Sequence, residues 1–228
     1  MIRVVVETAS TNDDVLADAR DGAPEGLWLR ADRQTAGRGR QGRAWQSPPG
    51  NLYASTLVRL QAGDPAAATL ALVAAVALQD VTARLAPAAV IRIKWPNDLL
   101  ADGAKLAGIL LEREGDAVVI GFGVNLAHHP DDIDRCAINL AVLGASCTPG
   151  MAVELLAECF ARWLARWRNE GLAPIRTAWL AAAHPIGTAL STAEGDGLFD
   201  GLEADGALRL CLADGSVRVM HAGDVFLI

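Results

Sequence analysis

Four short runs hold the residues best equipped for chemistry: 33–45, 94–98, 105–110 and 121–125. The first packs four arginines, three glycines and a tryptophan into one segment. Arg38, Arg40 and Arg43 offer forked donors shaped for phosphate or carboxylate, and Gly37, Gly39 and Gly42 let backbone approach a ligand closely. An anion-binding loop is the functional reading. A solvated basic loop, or an RNA-binding arginine–glycine segment, uses the same residues, and this run alone does not separate them. The second run sets Lys94 and Asp98 at a strand end, and the third sets Lys105 at a strand start, where a side chain has little freedom to wander. In the fourth, Gly121 and Gly123 alternate. That pattern bares one face of a strand, for a ligand or backbone lying against it or for a bend.

Strands and turns must present these runs. Residues 26–29 and 52–60 read as strands flanking the arginine segment, and 90–94 as a strand stopped by Pro96, which forces Trp95 extended. Residues 105–112 and 117–124 follow as strands joined by a turn near Gly115 and Asp116. A β-branched strand at 3–6 opens the chain. Ser10, Thr11 and Asn12 then lead into a helix whose apolar face includes Val15, Leu16 and Ala19. Ser10 or Thr11 is the expected N-cap, and a helix start also presents free backbone donors to a polar ligand. Asp64 and Pro65 read as cap and first turn of a long apolar helix reaching about Leu85. Helical periodicity returns over 151–168 and 174–183, with Trp163, Trp167 and Trp179 expected in the core and at interfaces. From His184 the pattern turns to short strands separated at 193–197, Asp205-Gly206 and Asp214-Gly215, as in a small barrel. A domain boundary is expected near Ala183.

Composition narrows the function classes. Hydrophobic residues make up 52% of the 228, enough for a sizeable core, and the net charge of −7 disfavours a bulk nucleic-acid binder. The apolar run over 66–78 falls short of the roughly 20 residues of a membrane span, so a buried helix is expected. No charged, apolar leader opens the sequence, so secretion is not expected. Cys136, Cys147, Cys159 and Cys211 are scattered, without a paired spacing or a histidine at ligand spacing. They read as reduced thiols of a cytoplasmic protein with no zinc site. Residues 127–137 look like a polar loop, and the adjacent His128 and His129 cannot face one way from a regular element.

The motifs GRGRQGRAW, KWPND, KLAGIL and GFGVN, preceded by the Ser-Thr-Asn helix start and followed by a small barrel, together resemble biotin protein ligases, the biotin–[acetyl-CoA-carboxylase] ligases. The likeness covers nearly the whole chain. It implies an α+β fold: a class II synthetase-like, biotin/lipoate-ligase catalytic domain with a mixed sheet and helices over 1–183, then an SH3-like β-barrel over 184–228. It implies a two-step reaction in which biotin and Mg-ATP give biotinyl-5′-AMP, and the biotinyl group passes to a lysine of a biotin carboxyl carrier domain. Arg40 and Lys105 would stand at the charge that develops on phosphorus. Lys94 and Asp98 would manage phosphate, metal and incoming lysine, the metal ligands being unassigned. Ser10, Thr11, Asn12, Gln34 and the Arg38 backbone would surround the ureido head, with Gly37 and Gly39 shaping the loop. Gly108, Gly121 and Gly123 would bare the floor, and Asn125, Trp45 and Arg43 would receive the adenylate.

Many relatives carry a DNA-binding module before this core; with a strand beginning at Arg3, no operator binding is expected. Neither nucleic acid nor membrane is an expected partner. Relatives dimerise through edge strands of the catalytic sheet, so the resemblance allows a homodimer. A lipoate ligase shares the adenylation chemistry, and the arginine loop with KWPND favours biotin over it. Fixing about eight glycine-rich loop residues costs on the order of 10 kcal/mol, so residues 38–45 are expected to be mobile until ligand closes them.

Overall fold

The computed structural model describes residues 1–130 and 136–228. Asp131, Asp132 and Asp134 of the expected polar loop lie outside them. Strand β1 (Ile2–Thr8) leads through helix α1 (Thr11–Arg20) to β2 (Trp28–Gln34) and, after the arginine segment, to β3 (Leu52–Arg59). Helix α2 (Leu70–Leu85) precedes β4 (Ile91–Lys94), β5 (Asp98–Ala101), β6 (Ala104–Glu114) and β7 (Ala117–Val124). Helices α3 (Pro149–Glu170) and α4 (Ala173–Ala182) then lead to β8 (Ala189–Thr192), β9 (Gly195–Leu202), β10 (Leu208–Cys211), β11 (Val217–Met220) and β12 (Val225–Leu227).

Strands β1 to β7 form one mixed sheet in the order β1-β2-β3-β7-β6-β5-β4. Only the β1/β2 pair is parallel, because α1 carries the chain back to the starting end; the remaining pairs are antiparallel. Strands β3 and β7 sit at its centre and are buried along nearly their whole length, the polar Ser55 and Thr56 of β3 included. On one face, α2, α3 and α4 build the main core over Ala54, Val58, Phe122 and Ile120. Phe122 stacks on Trp28 at 5.7 Å, and Phe160 of α3 meets both rings edge-on. On the other face α1 covers only part of the sheet, through Val15 and Ala19 against Leu29, Leu57 and Val119. The rest of that face is left for the site.

The chain from β8 onward forms a five-stranded antiparallel sheet, β11-β10-β9-β8-β12, the small β unit expected at this end. Trp179 of α4 packs edge-on to Phe199 of β9, and Trp95 Nε1 donates to Gly206 O, tying the two sheets together. Trp167 is fully buried and donates to Thr69; the half-buried Trp163 donates to Asp80. All four cysteines are free.

Three expectations change. The apolar stretch is longer than the 66–78 run, since the helix over Ala67–Leu85 is long and apolar enough to cross a membrane, while the buried helix expected there stands, with 61% of its most apolar window inside the fold. Asp64 does not cap α2: its carboxylate is drawn to Arg168 at 3.3 Å, and a 3-10 turn over Ala67–Thr69 starts the helix instead. The residues after Pro96 form β5, a strand too short and too close to the next turn to stand out in the sequence.

Truncating Phe160 to alanine removes the edge-on partner of two buried rings. A loss of about 3–5 kcal/mol in unfolding free energy is expected, read from the urea midpoint.

Candidate active site

Strand register gathers the runs. Lys94 pairs with Asp98, Asp98 with Gly108, Gly108 with Gly123, and Gly123 with Tyr53, so one row crosses β4, β5, β6, β7 and β3. A register shift between Leu99 and Leu100 sets Leu100 opposite Lys105, three residues before Gly108. An irregularity of this kind re-aims a side chain, and here it turns Lys105 onto the same face as Gly108. Asp98 is buried between the two lysines, with Lys105 Nζ at 2.7 Å and Lys94 Nζ at 3.2 Å. Burial works to raise its pKa, but Lys105 and Lys94 beside it more than offset this and hold it below the ordinary carboxylate value.

The bare glycines are filled from above. The Trp45 indole lies over Gly123 and Gly108, where an added Cβ would stand 2.6 Å and 3.2 Å from the ring. A Cβ at Gly121 would collide with Asn12 Oδ1. Lys105 Nζ sits 5.5 Å from the Trp45 ring centroid. The floor is therefore bare because Trp45 of the arginine segment and Asn12 of α1 need the room.

At the α1 end, Ser10 is the N-cap, accepting from Asp13 N. Thr11 donates through its backbone N and its hydroxyl to Gln34 Oε1. Ser55 Oγ lies 2.7 Å from Thr11 Oγ1 and 2.6 Å from Asn12 Oδ1, while Asn12 Nδ2 donates to Glu112. Arg38 forks onto Asp13 and Glu112, and Asp13 is held below its ordinary pKa chiefly by that hydrogen bond. Two-residue contacts of this kind fix the start of the arginine segment onto α1 and β6. Beyond it, Arg40 to Gly42 form a 3-10 turn with Gln41 at φ 58 and Gly42 at φ 71. Arg40 donates twice to Gly223 O at 3.1 Å, and Arg43 pairs with Asp224 at 2.7 Å.

These groups enclose a cavity of about 470 Å³, a volume typical of small-molecule sites. Ser10, Thr11, Asn12, Gln34, Arg38, Gly39, Arg40, Arg43, Trp45, Lys94, Asp98, Lys105, Gly108, Gly121, Gly123 and Asn125 all line it. Gly37 stands behind the lining, its bare Cα against Ser47, Gln34 and the Trp45 carbonyl. Asn125 reaches the cavity, but its amide nitrogen is spent on the Lys105 and Ile138 carbonyls, so it also braces the β6 start. Arg33 points away to Glu7. Sequence reasoning passed over Ser55, Glu112, Asn97 and Asp224. A serine within an apolar strand was a readable signal for Ser55; Asp224 sits in the far sheet, where nothing local marks it. His129 Nδ1 meets Asn139 Nδ2 at 2.8 Å. Among the described residues no group of three metal-binding side chains occurs.

Comparison with known proteins adds the lineage. Residues 6–125 match the model of the biotin/lipoate A/B protein ligase family. The chain is 42% identical over 239 aligned positions to a biotin–[acetyl-CoA-carboxylase] ligase of Paracoccus denitrificans, covering 98% of this chain and 99% of that one.

The chain belongs to the biotin/lipoate A/B protein ligase family.

A biotin–[acetyl-CoA-carboxylase] ligase of Mycobacterium tuberculosis is 38% identical over 97% of this chain and 87% of its own. The biotin protein ligase of Aquifex aeolicus, solved with biotin and ATP, shares the fold at a TM-score of 0.88 and 22% identity, over 100% and 99% of the two chains. The family match takes in all four runs and ends before the second sheet, although Asp224 and Val225 reach the same cavity.

Asp98→Asn leaves two lysines facing each other with no negative charge between them. A loss of about 3 kcal/mol is expected, as for breaking a buried pair. Because the folded pKa of Asp98 is lowered, its contribution is complete above about pH 4 and fades as pH falls through the folded value. The stability gap between parent and variant should therefore shrink in acid urea titrations and stay constant near neutrality. Gly123→Ala, which pushes Trp45 off its seat, should shift the indole emission while the fold holds.

Proposed function

We propose that this protein is a biotin protein ligase: it forms biotinyl-5′-AMP and pyrophosphate from biotin and ATP, then transfers the biotinyl group to one lysine of a biotin carboxyl carrier domain. Residues 1–183 serve as the biotin- and ATP-binding unit and 184–228 as the small β unit. The observation that carries this reading is the convergence of Arg40, Arg43, Lys94 and Lys105 on one cavity that also has a neutral, hydrogen-bonding end.

In the first step a biotin carboxylate oxygen attacks the α-phosphorus of ATP and the bond to pyrophosphate breaks. Two anions must approach, and negative charge grows on the phosphorus oxygens. Cations already fixed at that place lower the barrier, each by about 10²- to 10³-fold. Lys105 suits the task because Asp98 holds its ammonium from below. Arg40 suits it because the flap carries it over the cavity mouth. Mg²⁺ enters with the nucleotide as part of the substrate. Such an ion keeps several waters and binds mainly through phosphates, which fits a site whose lining carboxylates, Asp98 and Asp224, are already engaged by cations.

The neutral end takes the ureido ring. Thr11, Gln34 and Ser10 supply donors and acceptors beside the bare floor of Gly121 and Gly123, with Ser55 bracing Thr11 and Asn12 from behind. A site whose polar groups need such a ring is expected to reject an acid lacking it, since they would be stranded. That favours biotin over lipoate, whose dithiolane offers no such groups. Arg43, Trp45 and Asn125 receive the adenylate. In the second step the carrier lysine, as a free amine, attacks the acyl carbon of the mixed anhydride and AMP leaves. The flap over 38–45 shields that anhydride from water until then.

Labelled biotin should pass to a purified carrier domain only with ATP present, and biotin-dependent pyrophosphate exchange should exceed lipoate-dependent exchange by orders of magnitude. Equal exchange with both acids would sink the biotin assignment. Lys105→Ala should slow exchange by about 10²- to 10³-fold, and Arg40→Gly should release free adenylate that modifies lysines indiscriminately.

A further inference from the structure

Three successive residues between β11 and the start of β12 each hold a different cation of the cavity. Gly223 O accepts from both terminal nitrogens of Arg40, the Asp224 carboxylate pairs with Arg43 at 2.7 Å and stands 3.6 Å from Arg40, and Val225 O accepts from Lys94 at 2.9 Å. Two carbonyl oxygens and one carboxylate thus face three of the cations that the ligase reading sets around the nucleotide's phosphates and adenylate. They come from the second sheet, outside the residues matched by the family model. Among the described residues, Asp224 is the carboxylate that pairs with both Arg40 and Arg43. Asp98, the other acidic side chain on the cavity lining, is enclosed by lysines.

We infer that Asp224 is a positioning residue that occupies the two guanidiniums as an internal stand-in for the substrate polyphosphate, and that the nucleotide must take them from it. The inference rests on the ligase reading and adds the regulation of its nucleotide end. A forked arginine binds phosphate and carboxylate through the same donors, so the two anions exclude each other on Arg43. The polyphosphate carries the larger charge and wins. Removing the carboxylate charge has two opposing effects: it frees the flap, which weakens binding, and it removes a competitor, which strengthens it. The second dominates. Arg38 remains anchored on Asp13 and Glu112, and Arg40 keeps both bonds to the Gly223 carbonyl, so little order is lost. Both members of the Arg43 pair are partly exposed, at 44% and 24% of their side chains, so the competition is modest in size.

The test is Asp224→Asn in the full chain, which keeps the shape and removes the charge, with Asp224→Ser as a second variant. Binding of inorganic pyrophosphate, measured by calorimetry without biotin, is expected to tighten about threefold to tenfold in both. The KM for ATP should fall by a similar factor, the KM for biotin should stay unchanged, and thermal melts should match the parent. Unchanged or weaker pyrophosphate binding would overturn the inference. So would weakening seen only with Mg²⁺, which would make Asp224 a metal ligand. Because pyrophosphate binding is read without biotin, it stands apart from the ligase reading, which fails instead if the parent shows no biotin-dependent exchange.

Discussion

A carboxylate cannot be buried alone, and Asp98 is the point on which this site turns. Taking it out of water costs several kcal/mol unless cations accompany it, and Lys105 and Lys94 are those cations. The cost is met by geometry as much as by charge. Three strands must keep one register for the ammonium groups to arrive together, so the pairing of β4, β5 and β6 and the position of Lys105 are the same fact. Reactivity and folding are coupled there. A lysine that must neutralise a buried acid cannot drift into solvent, and under the proposed ligase reading that fixed ammonium would stand ready for a phosphoryl group.

The sheet solves a second problem by the same register. Its α2–α4 face is closed by a continuous apolar core, but the face shared with α1 has to hold both a helix and a ligand site. The division runs across β3 and β7. Leu57 and Val119 lie under α1, and two residues along each strand Ser55 and Gly121 begin the polar, open part. On β7 period-two alternation then sets Gly121 and Gly123 toward the cavity, while Ser55 of β3 is buried against Thr11 and Asn12. The helix therefore ends its job where its N-terminus begins another, and Ser10, Thr11 and Asn12 are both cap and wall.

Much of this was legible in the chain because the chemistry needs residues that are costly elsewhere. Adjacent arginines with glycines, a lysine and aspartate beside a proline, and alternate glycines in an apolar strand all stand out against ordinary patterning. The expected residues proved to share one cavity, apart from Gly37, which stands just behind it. What stayed hidden depends on distance in sequence. Glu112 belongs to the site because β6 returns beside α1 and meets Arg38. Asp224 belongs because the second sheet folds over the flap. Neither has a local signature. The expected cap at Asp64 failed for a related reason: a guanidinium 104 residues away offered the carboxylate a better partner than a helix end did.

The arginine segment is held at both ends by different parts of the molecule. Arg38 is fixed to α1 and β6, while Arg40 and Arg43 reach the turn before β12. Between these anchors lie Gln41 and Gly42 at positive φ, a conformation that suits a tight turn, open to glycine and costly for glutamine. A loop tied this way cannot swing as one rigid lid. The two sets of anchors are separate: those of Arg38 stand by the hydrogen-bonded end around Thr11 and Gln34, and those of Arg40 and Arg43 lie just before β12 of the second sheet. Separate anchoring would suit the proposed ligation, in which one substrate is held still while the second arrives and its leaving group departs.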